Sequence, residues 1–155
     1  MPEFVDPRHL LLIGAGPGVG ASVVRRFGRE GFRSTLISRG ETLEQLAPEL
    51  RSGGLEIEAV GADIEDLDGF TSGGFADHPV PALASLSMGK AAMRSAATLI
   101  AAGVREDGIH AATVTIAGSV VRGTAFDPDT IAELFWTAHT DPTDAWQTEY
   151  RFTGA

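Results

Sequence analysis

Residues 9–13, His-Leu-Leu-Leu-Ile, run directly into Gly14-Ala15-Gly16-Pro17-Gly18-Val19-Gly20. A short, continuous apolar run ending in glycine reads as a strand buried on both faces. From Val19 the period changes, with Val19, Val23, Val24 and Phe27 on one helical stripe. The glycines therefore join a strand to a helix, the setting that separates a phosphate-cradling turn from a chance glycine cluster. The first N–H groups of a helix have no partner inside it, and its dipole favours an anion there. Glycines let the backbone approach a pyrophosphate and let strand and helix pack closely. The spacing is G-x-x-x-G-x-G over Gly14, Gly18 and Gly20, with Val19 where G-x-G-x-x-G requires glycine.

The pattern continues along the chain. Helix is expected over 19–30, with Gly31 as its left-handed stop, and strand over 33–38. A second helix is expected over 41–52, with Pro48 kinking it or shifting its start, ended by Gly53-Gly54. A third strand is expected over 55–60. This βαβαβ series implies a parallel sheet. Residues 61–84, with four glycines, Pro79 and Pro81, read as loop. Residues 85–102 read as helix, capped by Ser85 or Ser87 and stopped by Gly103. Residues 110–117 read as a fourth strand. Asp127-Pro128 opens a helix reaching His139, with Asp as cap and Pro at the first position. Residues 145–152 alternate as a final edge strand.

Composition bounds the function classes. At 155 residues the chain is expected to form a single domain, 1–155. It has no cysteine, which excludes disulfides, thiolate metal sites and cysteine nucleophiles. A formal net charge of -9 does not fit a nucleic-acid partner. No run of 18 apolar residues and no signal-peptide pattern is visible, so neither membrane association nor export is expected, and the location expected is cytoplasmic. Seven of the 12 basic groups fall in residues 1–60, among them Arg25, Arg26, Arg29, Arg33, Arg39 and Arg51, where phosphates can bind. Lys90 is the lone lysine, and Tyr150 is the lone tyrosine.

The ordered set of segments resembles the short-chain dehydrogenase/reductase family over residues 9–68 and 70–152. The carrying residues are the G-x-x-x-G-x-G turn, Ser38-Arg39 at the end of the second strand, Asp63 after the third, Ser87-Met88-Gly89-Lys90-Ala91-Ala92, Ile116-Ala117-Gly118 and Thr124. The resemblance implies a doubly wound, Rossmann-type parallel sheet and a nicotinamide cofactor held by Gly14, Gly16, Gly18, Val19, Gly20, Ser38, Arg39, Asp63, Lys90, Gly118 and Thr124. NAD-binding members usually place an acidic residue after the second strand and NADP-binding members a basic one. Arg39 therefore implies NADP, its planar guanidinium gripping the 2′-phosphate. Asp63 matches the adenine contact, Lys90 the cofactor-ribose lysine, and Thr124 the carboxamide threonine. The implied activity is oxidoreduction of a small carbonyl or alcohol, with a homo-oligomer as the working form.

The family pattern breaks at the acid. Its Tyr-x-x-x-Lys places a tyrosine four positions before the lysine, and here that position is Leu86. Leucine has no proton to give, so the usual mechanism cannot run unless another group substitutes. Ser72 lies beside the position expected for the catalytic serine. His78, between Asp77 and Pro79 in the same loop, is a candidate replacement acid; His9, His110 and His139 read as structural. No metal-ligand spacing is present. Residues 63–68 resemble the end of the third strand and the next helix start, whereas 69–74 resemble the end of the family's fifth strand. What the family places between them is missing at 68–70, through a natural deletion, an engineered or spliced product, or an omitted segment. A covalent deletion leaves a minimal five-stranded sheet of order 3-2-1-4-5. The alternative to an enzyme is a non-redox dinucleotide-binding protein, a sensor or partner subunit.

Overall fold

The computed structural model describes residues 8–61 and 84–154, the last without side chains over 84–90. The chain divides into two units, Met1–Ile64 and Glu65–Ala155.

In the first unit, β1 (His9–Ile13), α1 (Val19–Gly28), β2 (Arg33–Ser38), α2 (Gly40–Ser52) and β3 (Ile57–Gly61) form a parallel three-stranded sheet in the order 3-2-1. In register, Leu12 faces Leu36 and Leu36 faces Ala59. Leu10, Leu12, Ile57 and Ala59 pack with Ala21, Val24, Leu36, Leu43, Leu46 and Leu50 in the core between helices and sheet. On the opposite face, His9 Nε2 lies 2.8 Å from Thr35 Oγ1, which donates to Glu58 at 3.1 Å. Leu11 is 57% exposed. Burial on both faces, expected of the His-Leu-Leu-Leu-Ile run, is not met at Leu11, because α1 and α2 pack on the side of Leu10 and Leu12.

Gly31 ends α1 as expected. It has φ +78°, its N–H donates to Gly28, and the Phe32 N–H reaches back to Phe27. The rings of Phe27 and Phe32 close this turn edge to face at 5.3 Å. That is the double-bonded C-terminal motif with its accompanying apolar contact. Pro48 neither ends nor delays α2, which begins at Gly40 and carries the proline inside. β3 starts two residues later than the alternation implies. The Leu55 N–H is spent on the Leu50 carbonyl at the end of α2.

In the second unit, α3 (Ala84–Val104), β4 (Thr113–Ile116), α4 (Pro128–Thr140) and β5 (Glu149–Phe152) follow in order, and β4 pairs in parallel with β5. The described ladders thus form two sheets, 3-2-1 and 4-5, and contain no β1–β4 pairing. Ser85 and Ser87 lie inside α3 and do not cap it. Gly103 lies inside α3 as well. The chain continues through a 3-10 turn, Arg105–Asp107, to Gly108 at φ +74°, which supplies the stop expected of Gly103. β4 is shorter than 110–117: His110 stacks on Trp146 at 4.6 Å and bonds the Gln147 carbonyl at 2.9 Å instead of entering the ladder. Asp127 caps α4 as expected. One carboxylate oxygen accepts from the Asp129 N–H at 2.8 Å and the other from the Gly123 N–H at 2.6 Å.

Candidate functional site

The turn between β1 and α1 is shaped by its glycines. Gly14 has φ +79°, and its N–H donates to the Ile37 carbonyl at 2.8 Å, tying the turn to the end of β2. A Cβ on Gly20 would stand 3.1 Å from Ala15 Cα, so α1 packs directly on the turn. At Gly16 and Gly18 a Cβ would meet nothing within 4 Å, so the backbone lies open on that side. The Ala21 and Ser22 N–H groups donate back to Gly16 and Gly18, closing the first helical turn. The N–H groups of Gly16, Gly18, Val19 and Gly20 find no acceptor among the described residues. Gly18 at the cap position offers no side-chain acceptor, and the first turn has no acidic residue. Four donors without an acceptor among the described residues, at a positive dipole end, are an arrangement that favours an anion.

Ser38 closes β2, and Arg39 takes the cap position of α2 in an extended conformation. Arg39 is exposed, and its guanidinium has no hydrogen bond or ion pair among the described residues. Other arginines of the unit are occupied: Arg25 pairs with Glu49, Arg26 with Glu30, and Arg51 donates to the Ile57 carbonyl.

In the second unit, positions 86 and 90 fall one turn apart on α3, so Leu86 stands a turn before Lys90. Gly118 follows β4, and a Cβ there would collide with the Phe126 ring. The Thr124 hydroxyl is held within the same loop, donating to the Val121 carbonyl at 2.7 Å and accepting from the Phe126 N–H at 3.1 Å. Asp63, Ser72 and His78 lie outside the described residues. Tyr150 is buried and donates to Asp141 Oδ2 at 2.8 Å, joining β5 to the end of α4. Burial first, and then that carboxylate, push its hydroxyl above the usual phenol range.

His9 sits in β1 against Thr35, and His139 lies in the last turn of α4 beside Trp136. Partial burial first, and then the charge of His110, lower the pKa of His139. Among the described residues no group of three His, Asp or Glu side chains could hold a metal ion. No described helix is long and apolar enough to cross a membrane.

Sequence spacing does not reveal one polar chain. Arg94 on α3 donates to Glu149 Oε2 at 2.7 Å, and the Thr115 hydroxyl on β4 donates to Glu149 Oε1 at 2.7 Å. The available signal was Arg94 itself. It and Lys90 are the only charged residues in the 21 residues of α3.

No family model matches the sequence, and no curated protein matches it. Solved structures do match the fold. A short-chain dehydrogenase from Rhodopseudomonas palustris is 19% identical with a TM-score of 0.67, over 94% of this chain and 97% of that one. A metagenomic short-chain oxidoreductase in complex with NADP is 19% identical with a TM-score of 0.65, over 94% and 97%. An NADPH-bound short-chain oxidoreductase from Pseudomonas aeruginosa PAO1, described as containing an atypical catalytic center, is 13% identical with a TM-score of 0.71, over 99% and 98%. The chain has the Rossmann-type α/β fold of the short-chain dehydrogenases/reductases.

Proposed function

We propose that this chain binds NADP(H) and is an oxidoreductase of the short-chain dehydrogenase/reductase kind, acting on a small carbonyl or alcohol. The observation that carries the reading is the cradle at Gly16, Gly18, Val19 and Gly20. Its donors have no acceptor among the described residues and its Cβ side is open, which fits a pyrophosphate. Arg39 fits the 2′-phosphate because its guanidinium is exposed at the start of α2 and has no hydrogen bond or ion pair among the described residues. NADP would be held there, with Ser38, Asp63, Lys90, Gly118 and Thr124 completing the set by resemblance. NAD is the weaker candidate. When bound, the cofactor supplies hydride transfer. The chain's own part is to orient it and to move a proton to or from the substrate oxygen.

Leu86 cannot move that proton, so the active site is atypical; Lys90, Ser72 and His78 are its candidate residues. The Pseudomonas aeruginosa protein, which its description pairs with NADPH and an atypical catalytic center, supports the combination. Leu86 equally favours a second reading, a dinucleotide-binding protein without redox activity. Titration with NADPH and NADH tests the cofactor, and NADPH oxidation against a panel of small aldehydes and ketones separates the readings. Tight NADPH binding with no turnover across the panel selects the second. Full turnover in His78→Ala removes His78 from the mechanism.

The reading places all 155 residues in one dinucleotide-binding chain shortened near 68–70. An intact mass near 16.2 kDa makes that junction covalent. It also includes a homo-oligomer, supported by the apolar side chains that α3 leaves in solvent, Leu99 at 75% and Ile100 at 48% exposure.

A further inference from the structure

β3 has one partner strand among the described residues, so its far side is a sheet edge. Ser34 pairs with Ile57 in register, and the Ser34 N–H donates to the Glu56 carbonyl. Glu56, Glu58 and Val60 therefore spend their backbone groups on β2, while Ile57, Ala59 and Gly61 turn theirs outward. The Arg51 Nε–H takes the Ile57 carbonyl at 3.0 Å. The outward N–H and carbonyl of Ala59 have no partner among the described residues. Beside them, between α2 and β3, lies a shallow groove of about 290 Å³, walled by Leu43, Ala47, Pro48 and Ala59. Its surroundings are acidic. Residues 40–61 carry five glutamates and one arginine. Glu44 is exposed at the groove and has no ion pair among the described residues. Glu58 is exposed on the opposite face of β3, where it accepts from the Thr35 hydroxyl.

We propose that this edge of β3 takes up an extended basic segment of another protein as an added antiparallel strand. An antiparallel pair exchanges both of its bonds between two directly opposed residues, so Ala59 alone offers a complete pair where Arg51 already occupies Ile57. The partner side chain opposite Ala59 falls on the α2 side and enters the groove, which suits an apolar residue. Its neighbours fall on the other face, where a basic residue stands opposite Glu58. A second copy of this chain is the poorer occupant. Twofold pairing of β3 about Ala59 sets both α2 helices, with the same glutamates, on one side of the joined sheet, and like charges brought together are costly.

The probe is the capped pentapeptide Val-Arg-Val-Arg-Val, titrated into the whole chain, with amide hydrogen exchange followed by NMR. The peptide is expected to bind, and the Ala59 amide is expected to exchange fast in the free chain and slowly at saturation. Replacing both arginines by glutamate, or N-methylating the central valine, whose N–H faces Ala59, is expected to weaken binding about tenfold or more. N-methylating the arginines, whose N–H groups face away from the edge, is expected to change it by less than about twofold. In the chain, Ala59→Pro removes the outward N–H at an edge position where proline is tolerated, and is expected to weaken binding about tenfold. Glu44→Arg, on the exposed side of α2, is expected to weaken binding of the arginine peptide and strengthen that of the glutamate one, and serves where Ala59→Pro does not fold. No binding, equal affinity for the two peptides, or full affinity of the peptide methylated at its central valine overturns the proposal. So does an Ala59 amide already protected in the free chain. The edge is then covered by the chain itself or, where Ala59→Pro lowers the sedimentation coefficient, by a second copy.

Discussion

Arg39 and Tyr150 show how differently two singled-out residues are used. The Arg39 guanidinium is exposed and has no hydrogen bond or ion pair among the described residues. Replacing it by glutamate puts a negative charge where the 2′-phosphate would sit. Arg39→Glu is expected to weaken NADPH binding by about tenfold or more, and to leave NADH binding within about threefold, because NADH lacks that phosphate. Fluorescence titration with both nucleotides checks this, and equal losses for the two would refute the assignment. Tyr150 is spent on structure. Its folded pKa lies above the unfolded value near 10, because burial and Asp141 both oppose the phenolate. A raised pKa means the folded state holds the proton longer, so this stability is complete below about pH 10 and lost as pH rises through the folded value. Since Tyr150 is the lone tyrosine, the tyrosinate absorbance reports it alone. Its midpoint is expected above that of the urea-unfolded chain. Tyr150→Phe is expected to cost about 1 kcal/mol in denaturant unfolding.

At the scale of elements, local chemistry was most legible where one residue type has one answer. Gly31 after the Val19–Phe27 stripe and Asp127-Pro128 before α4 end and begin their helices in the expected places. Gly31→Ala forces a side chain into φ +78° and is expected to destabilise the chain by about 1–2 kcal/mol, read as a shifted denaturant midpoint. At Asp127 the Gly123 N–H, then the Asp129 N–H, lower the carboxyl pKa. Its contribution is present above the unfolded value of about 3.8 and is lost as pH falls through the folded one. Asp127→Ala is expected to lower the melting temperature at neutral pH and to make that difference shrink towards pH 2. Legibility failed where distant partners decide. Gly103 has the right composition for a stop, yet α3 runs past it, and Gly108 takes the left-handed conformation. His110 looks like a strand opener, but its ring is taken by Trp146, 36 positions away in sequence. The turn at Gly14–Gly20 was readable because its strand, glycines and helix are contiguous. The clamp of Arg94, Glu149 and Thr115 was not, because it joins three elements.

The chain matches solved structures of its fold over nearly their full length, with the Gly14–Gly20 turn in one unit and α3 in the other. A ligand that binds only the folded chain stabilises it by the logarithm of its concentration over Kd, about 2.7 kcal/mol at a hundredfold excess. NADPH is therefore expected to raise the melting temperature in a concentration-dependent way, and Gly18→Asp, which sets a carboxylate in the cradle, is expected to abolish that rise. The apolar residues on α3 raise the other question at this scale. Leu99 at 75% exposure and Ile100 at 48% leave adjacent large side chains in water, on a helix whose residues 95–104 carry no charge. A second copy covering them would remove that surface from solvent without burying a charge. Leu99→Lys inserts one, and burying an unpaired ammonium costs far more than the leucine gains. Sedimentation velocity is expected to show the parent chain heavier than a monomer and Leu99→Lys shifted towards the monomer near 16.2 kDa. An unchanged sedimentation coefficient in the variant would place any self-association elsewhere on the surface.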